Sequence, residues 1–203
     1  MSEYPILFSA DMVQAILRGE KTQTRRVAYG SRIIDKTGNP RYKAGDRLWV
    51  KETWRINEWD GDYRIAVEYK ASPGLHMPWV DFNEDSTMRL IEQTYSELEK
   101  LGVETDEDGY YKWEPGQSPL KWRPSIFMPR AASRILLEVK RIGVEYLQDI
   151  SRNDAIAEGF DKQPYGEIGC FATYWNSLNT KRGFGWDKNP LVIVIKFERL
   201  EPK

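Results

Sequence analysis

In the stretch Gly19-Glu20-Lys21-Thr22-Gln23-Thr24-Arg25-Arg26 a short helix has to stop and a strand has to start. Before it, residues 10–17 form an amphipathic octet. Met12, Ala15 and Ile16 recur there at helical spacing, behind a Ser9 suited to capping the helix N-terminus. Gly19 stands where a helix C-cap belongs, because glycine enters the left-handed conformation without a Cβ penalty. After it, residues 22–27 are β-prone, and the period-two rule puts Thr22, Thr24 and Arg26 on one face. Lys21 falls at the junction. On a regular strand it would point away from Thr24, and the two converge only if Lys21 still belongs to the turn.

Working outward, Ile6-Leu7-Phe8 reads as a buried strand ahead of the helix. A turn-rich loop with Gly30, Gly38-Asn39-Pro40 and Gly45-Asp46 follows the opening stretch. Leu48-Trp49-Val50 then begins a strand that continues through Lys51-Glu52-Thr53-Trp54. Residues 63–69 alternate Tyr63, Ile65, Val67 and Tyr69 on one side, and residues 133–141 place Ile135, Leu137 and Val139 inward. Residues 191–200 make a last strand. Ser151 opens a helix over 151–158, with Asp154 at the capping-box position and Gly159 to end it. A second short helix covers 171–178, clustering Phe171, Tyr174 and Trp175. Between 121 and 130, Pro124 and Pro129 forbid a central strand and predict an extended segment along an edge or cleft.

Five to seven strands interrupted by short helices, without βαβ alternation, predict an α+β fold. The expected architecture is one domain over 1–203, a small, partly closed mixed β-barrel with helices at its ends. Residues 72–119 read as an insertion carrying a helix at 87–101 and an acidic loop. Between Asp81 and Glu114 there are eleven acids against three bases, Arg89, Lys100 and Lys112. A solvated face accounts for such a run.

Composition narrows the function classes. The chain has 203 residues, 30% of them charged and 40% hydrophobic, with a net charge of −1, as in a soluble globular protein without a global field for a polyanion. One cysteine, Cys170, allows no internal disulfide, and with His76 as the one histidine no His/Cys zinc site is expected. Neither a metal nor a cofactor is called for. No secretory signal is read at the start, and the longest apolar run, residues 191–195, is too short for a bilayer. The expectation is a cytoplasmic protein without membrane contact. Charge is nevertheless segregated: residues 1–51 hold ten bases against five acids, and residues 121–141 hold six against one. Such asymmetry suits either a local polyanion surface or pairing with the acidic insertion.

The order of motifs resembles the ASCH family, whose members share a PUA-like β-barrel. The residues that carry the likeness are Ile6-Leu7-Phe8, Gly19-x-Lys21-Thr22-x-Thr24-x-Arg26 and Gly45-Asp46-Arg47-Leu48. The strand near Ser133, the helix Asp154-Ala155-Ile156-Ala157-Glu158-Gly159 and Asn189-Pro190-Leu191 continue it. Trp122-Arg123-Pro124-Ser125-Ile126, Met128-Pro129-Arg130 and Trp186-Asp187-x-Asn189-Pro190 are similar to the longer ASCH proteins of phages and prophages. In those an aromatic is expected where Ala131 stands. The resemblance implies RNA or a modified nucleoside as partner. One bacterial branch hydrolyses N(4)-acetylcytidine to cytidine and acetate, and its catalytic lysine, threonine and glutamate fall on Lys21, Thr24 and Glu158.

In that scheme Lys21, neutral in a dry pocket, takes the proton of Thr24, which attacks the amide carbonyl, and Glu158 positions the substrate or protonates the leaving amine. Arg25, Arg26, Lys121, Arg123, Arg130 and Arg134 form a candidate basic wall for phosphates, Thr22 is a further binding candidate beside it, and Trp122 is the candidate for stacking a base. Read without the family, the same residues fit a surface strand, a solvated glutamate and structural tryptophans. Three functions follow: an amidohydrolase, a non-catalytic RNA-binding module, and a ribonuclease with Lys21 as its catalytic cation.

Overall fold

The computed structural model of the chain describes residues 2–28, 34, 39–60, 62, 64–75, 77–161 and 166–201. The expectations for Gly30, Gly38, Tyr63 and His76 lie outside these residues. In chain order the elements are β1 (Glu3–Leu7), α1 (Ala10–Leu17), β2 (Gln23–Val27), β3 (Arg47–Lys51), β4 (Trp54–Trp59) and β5 (Arg64–Tyr69). Then come β6 (Trp79–Asp81), α2 (Glu84–Leu101), β7 (Leu136–Tyr146), α3 (Arg152–Ala157), α4 (Glu167–Asn179) and β8 (Leu191–Leu200). The α+β class expected from the sequence is the one formed. The strands divide into a five-stranded sheet, ordered β1-β3-β7-β8-β2, and a three-stranded sheet, ordered β4-β5-β6. By compactness the chain separates into two units, Met1–Pro5 with Gln14–Trp49 and Ile135–Lys203, and Ile6–Val13 with Val50–Arg134.

In the first unit β7 and β8 make a long antiparallel pair, from Leu136↔Leu200 to Tyr146↔Leu191, with a bulge between Val139 and Arg141. The bulge absorbs one surplus residue of β7, and the strand runs five residues beyond the expected end at Arg141. That extension carries Glu145 to the edge of the candidate site. On the other side of β8 lies β2, paired from Gln23↔Lys196 to Val27↔Val192. Val192, Ile193, Val194 and Ile195 are buried on both faces, so β8 reads as a continuous apolar run rather than an alternating one. Val27, Val192 and Val194 pack with Leu147, Ile150, Ala155, Phe171 and Trp175 into one core.

The second unit is built on Trp54, Ile56, Ile65, Val67, Tyr69, Leu98, Leu120 and Met128. Its helix α2 starts three residues earlier than expected because Asn83 caps it, accepting from the Ser86 amide at 2.9 Å. Gly102 closes it in the left-handed conformation.

Four local expectations need correction. The strand expected through residues 48–54 is two strands of different sheets, broken at Glu52, whose buried carboxylate turns to Arg134 and whose amide donates to the Met128 sulfur. The extended segment at 121–130 is interrupted by 3-10 turns at Ser125–Phe127 and Arg130–Ala132, each entered through a proline whose fixed φ suits a helical start. Val13, not Met12, joins Ala15 and Ile16 on the buried face of α1. The face expected to hold Thr22, Thr24 and Arg26 is not uniform, since Thr22 is exposed, Thr24 buried and Arg26 between them.

Candidate functional site

The turn between α1 and β2 is held by its own backbone. Gly19 sits at φ +76°, and the amides of Glu20 and Lys21 both donate to the Ala15 carbonyl, at 2.9 and 3.1 Å. Lys21 therefore belongs to the helix-terminating turn and stands two residues ahead of β2. It also forms an isolated antiparallel bridge with Glu158, and the Thr22 amide donates to the Ala157 carbonyl at 2.9 Å.

Glu158 is presented by α3, whose capping box is complete. Ser151 Oγ accepts from the Asp154 amide, and Asp154 Oδ2 accepts from the Ser151 amide. Gly159 follows at φ +99°, and a Cβ built there would stand 3.2 Å from the Ala15 Cβ and 3.6 Å from the Lys21 Cβ. Glycine is required there for conformation and for closeness alike.

These two short elements bring Lys21 and Glu158 together out of solvent. Lys21 Nζ donates to Glu158 Oε2 at 2.7 Å and to the Glu158 carbonyl at 2.9 Å, with the two side chains 0% and 2% exposed. Arg25 completes the carboxylate, its Nη1 donating to Oε1 at 3.2 Å. Its Nε and Nη2 donate to Glu145 Oε1 at 2.9 and 2.6 Å. Gln23 Nε2 donates to the Asp154 carbonyl and carboxylate, at 3.0 and 3.2 Å. Lys21, Gln23 and Arg25 thus share one side, as period two requires, and that side meets α3 and β7. Thr24 lies buried in β2 opposite Ile195 of β8.

Burial pulls the pKa of Lys21 below its ordinary 10.5. The charge and hydrogen bond of Glu158 oppose this, and the charges of Arg26 and Arg25 add to it. The lysine is therefore a candidate base. Arg26 also has its pKa lowered by burial, against the attraction of Glu158. Partial burial pushes the Asp154 carboxyl up, but hydrogen bonds from Ser151 and Gln23 and the charge of Arg25 outweigh it and hold the group at about 2. Three cations, Lys21, Arg25 and Lys196, thus stand against three carboxylates, Glu145, Asp154 and Glu158. No group of three or more His, Cys, Asp or Glu side chains among the described residues is arranged to hold a metal.

Sequence reasoning found Lys21, Arg25 and Glu158 but missed Glu145, Gln23 and the second role of Asp154. Glu145 was hidden by the early end assigned to its strand. The parity of residues 21, 23 and 25 was the available signal for Gln23.

The remaining predicted binding residues belong to the second unit. Arg134 is engaged by Glu52 at 2.9 and 3.0 Å and by Ser72 at 2.8 Å, and lies over the Tyr69 ring. Trp122 has the guanidinium of Arg55 over its ring at 4.3 Å from the centroid. Arg123 lies over Trp54 and donates to Gln93. Lys121 and Arg130 are exposed. No helix among the described residues is long and apolar enough to cross a membrane.

No protein-family model matches the chain, and no curated protein matches it in sequence. Among solved structures it is similar to an ASCH domain from Lactobacillus crispatus JV V101, known from a high-resolution crystal structure. The two are 12% identical with a TM-score of 0.43, covering 98% of this chain and 79% of that one.

Proposed function

We propose that the chain hydrolyses the amide of an acylated nucleobase of the N(4)-acetylcytidine type, free or in RNA. Lys21 is the base, Thr24 the nucleophile, and Glu158 the group that orients the lysine. The observation that carries the proposal is the buried Lys21 amine, its pKa lowered, held at 2.7 Å by a carboxylate. The likeness of the Gly19–Arg26 string to the ASCH family suggests the substrate.

In the reaction, Lys21 Nζ as a free amine leaves Glu158 and takes the Thr24 hydroxyl proton while Oγ1 bonds to the acyl carbon. Collapse of the tetrahedral intermediate breaks the C–N bond, and the proton passes from Nζ to the departing nitrogen. Water adds to the acyl-threonine by the same route, releasing acetate and freeing Thr24. Lys21 shares its side with Gln23 and Arg25, so the transfer requires Nζ to leave Glu158 and turn toward Thr24 on the other side of the strand.

The depth of burial favours one alternative. In a non-catalytic RNA-binding module the Lys21–Glu158 pair would tie α3 to β2, and exposed side chains such as Lys121 and Phe127, the latter 71% exposed, would meet the ligand. Incubation with N(4)-acetylcytidine, followed by chromatography, separates the two. Cytidine and acetate from the native chain, absent with Thr24→Val, support hydrolysis. No product above the control, together with salt-sensitive RNA binding, supports the alternative.

A further inference from the structure

The acidic segment has no part in the reaction above, yet it completes a cavity of about 600 Å³ within the second unit, a size that suits a small molecule. Its walls come from the end of β4, from α2, and from the loop at residues 108–113. Five aromatic residues line it: Trp59, Tyr95, Tyr110, Tyr111 and Trp113. Trp59, Tyr95 and Tyr111 form a triad with centroids 5.3, 6.5 and 5.9 Å apart and interplanar angles of 49–75°. Trp59 and Tyr95 meet edge to face and the other two pairs are tilted, so no face-to-face stack closes the triad.

The cavity is preorganised. Asp106 Oδ1 accepts the amides of Asp108 and Tyr110, at 3.1 and 2.8 Å, and the Asp106 amide donates to the Tyr110 carbonyl at 2.8 Å. Gly109 takes φ +85° in that turn. The loop bearing Tyr110 and Tyr111 is therefore fixed by its own hydrogen bonds. Trp113 Nε1 is anchored on Asn57 Oδ1 at 3.2 Å, and Trp59 Nε1 on the Tyr95 hydroxyl at 3.3 Å.

Its charge has one sign in excess. Asp60 is paired with Arg64, and Lys112 with Asp106. Glu58 and Asp108 line the cavity beyond those pairings. Counting the lining residues and their partners gives four carboxylates (Glu58, Asp60, Asp106, Asp108) against two cations (Arg64, Lys112), an excess of two negative charges. Such a site repels phosphate, so a nucleic-acid base carried on its backbone is a poor occupant.

We infer that this cavity binds a small organic cation of the alkylated-ammonium class. Inclined aromatic faces supply cation–π attraction, and the surrounding carboxylates supply the field. The hydrophobic surface of an alkylated ammonium suits an aromatic wall, where a strongly hydrated inorganic cation would lose more water than it gains.

The test is titration of the full chain with choline, in parallel with 3,3-dimethyl-1-butanol, its uncharged isostere, at constant ionic strength. Binding is read from tryptophan fluorescence and calorimetry. Choline is expected to saturate the signal, with the neutral isostere about tenfold weaker or more, as a cation–π contribution near 1.4 kcal/mol implies. Tyr110 is 66% exposed and Glu58 is exposed, so Tyr110→Ala and Glu58→Gln should fold normally. Each should weaken choline several-fold with an unchanged melting temperature. Equal binding of choline and isostere, no saturation by choline, or undiminished binding in both variants would overturn the inference.

Discussion

Lys21 and Glu158 are joined three times: by an ion pair of 2.7 Å, by a lysine hydrogen bond of 2.9 Å to the glutamate carbonyl, and by a backbone bridge. A charge pair so buried is a modest net source of stability, but removing Lys21 leaves the buried Glu158 carboxylate with Arg25, at 3.2 Å, as its remaining cation. Lys21→Met is therefore expected to destabilise by up to about 3–5 kcal/mol. The double variant Lys21→Met/Glu158→Leu should recover a large part of that loss. Urea denaturation of both singles and the double gives the coupling, and strict additivity would contradict this account.

The lowered pKa of Lys21 has a definite sign in stability. Between its depressed folded value and the ordinary 10.5, the unfolded chain binds the extra proton, so stability rises with pH across that window. The contribution is complete above 10.5 and is lost as pH falls through the folded value. Denaturation of native chain and Lys21→Met at a series of pH values isolates it. Parallel curves for the two proteins would show that Lys21 does not titrate differently on folding.

Activity should follow the same group. With Lys21 as base, kcat/KM for N(4)-acetylcytidine is expected to rise with pH and level off at a pKa below 10.5. Lys21→Ala should lower kcat/KM by about 10²–10⁴-fold, and Thr24→Ser should retain more activity than Thr24→Val. A Thr24→Val variant as active as the native chain would remove threonine from the mechanism.

Gly159 offers a comparison within the molecule. Gly159→Ala meets both a positive φ and the Ala15 and Lys21 Cβ atoms, whereas Gly183→Ala, at φ +83°, meets nothing within 4 Å. Backbone strain of about 1–3 kcal/mol is common to both. Gly159→Ala should lose distinctly more in thermal denaturation, and equal losses would mean that the close approach to Ala15 is relieved without effect.

The capping box of α3 holds Glu158 in place from a distance. Ser151→Ala should cost about 1 kcal/mol of stability. Asp154, held at about 2, contributes stability that is present above the ordinary 3.8 and lost as pH falls toward 2. Asp154→Asn should flatten the acid limb of the denaturation profile. An unchanged limb would assign that limb to other carboxylates.

Much of this arrangement is legible in the sequence. Ser9, Gly19, Ser151, Asp154 and Gly159 bound their helices as their residue types require, since caps and turns depend on atoms within a few residues. The run at residues 191–200 is a strand as its β-branched Val192, Ile193, Val194 and Ile195 favour. The break at Glu52 was not legible, for its cause is Arg134, 82 residues away. Nor was the seat of Trp122, because the guanidinium over its ring comes from Arg55 of β4, 67 residues earlier in the chain.

By itself the sequence determined that Lys21 would close a turn, that Glu158 would end a helix, and that acid would gather in one segment. Tertiary structure alone decided that Lys21 and Glu158, 137 residues apart, share a dry site with Arg25 and Glu145. It also decided that the acidic loop folds over a set of aromatic rings. The physical reason is range. Capping and periodicity are fixed by local backbone geometry. Desolvation and ion pairing depend on which distant strands pack together, and β7 brings Glu145 to Arg25 because it stays paired with β8 beyond its bulge, as far as Tyr146.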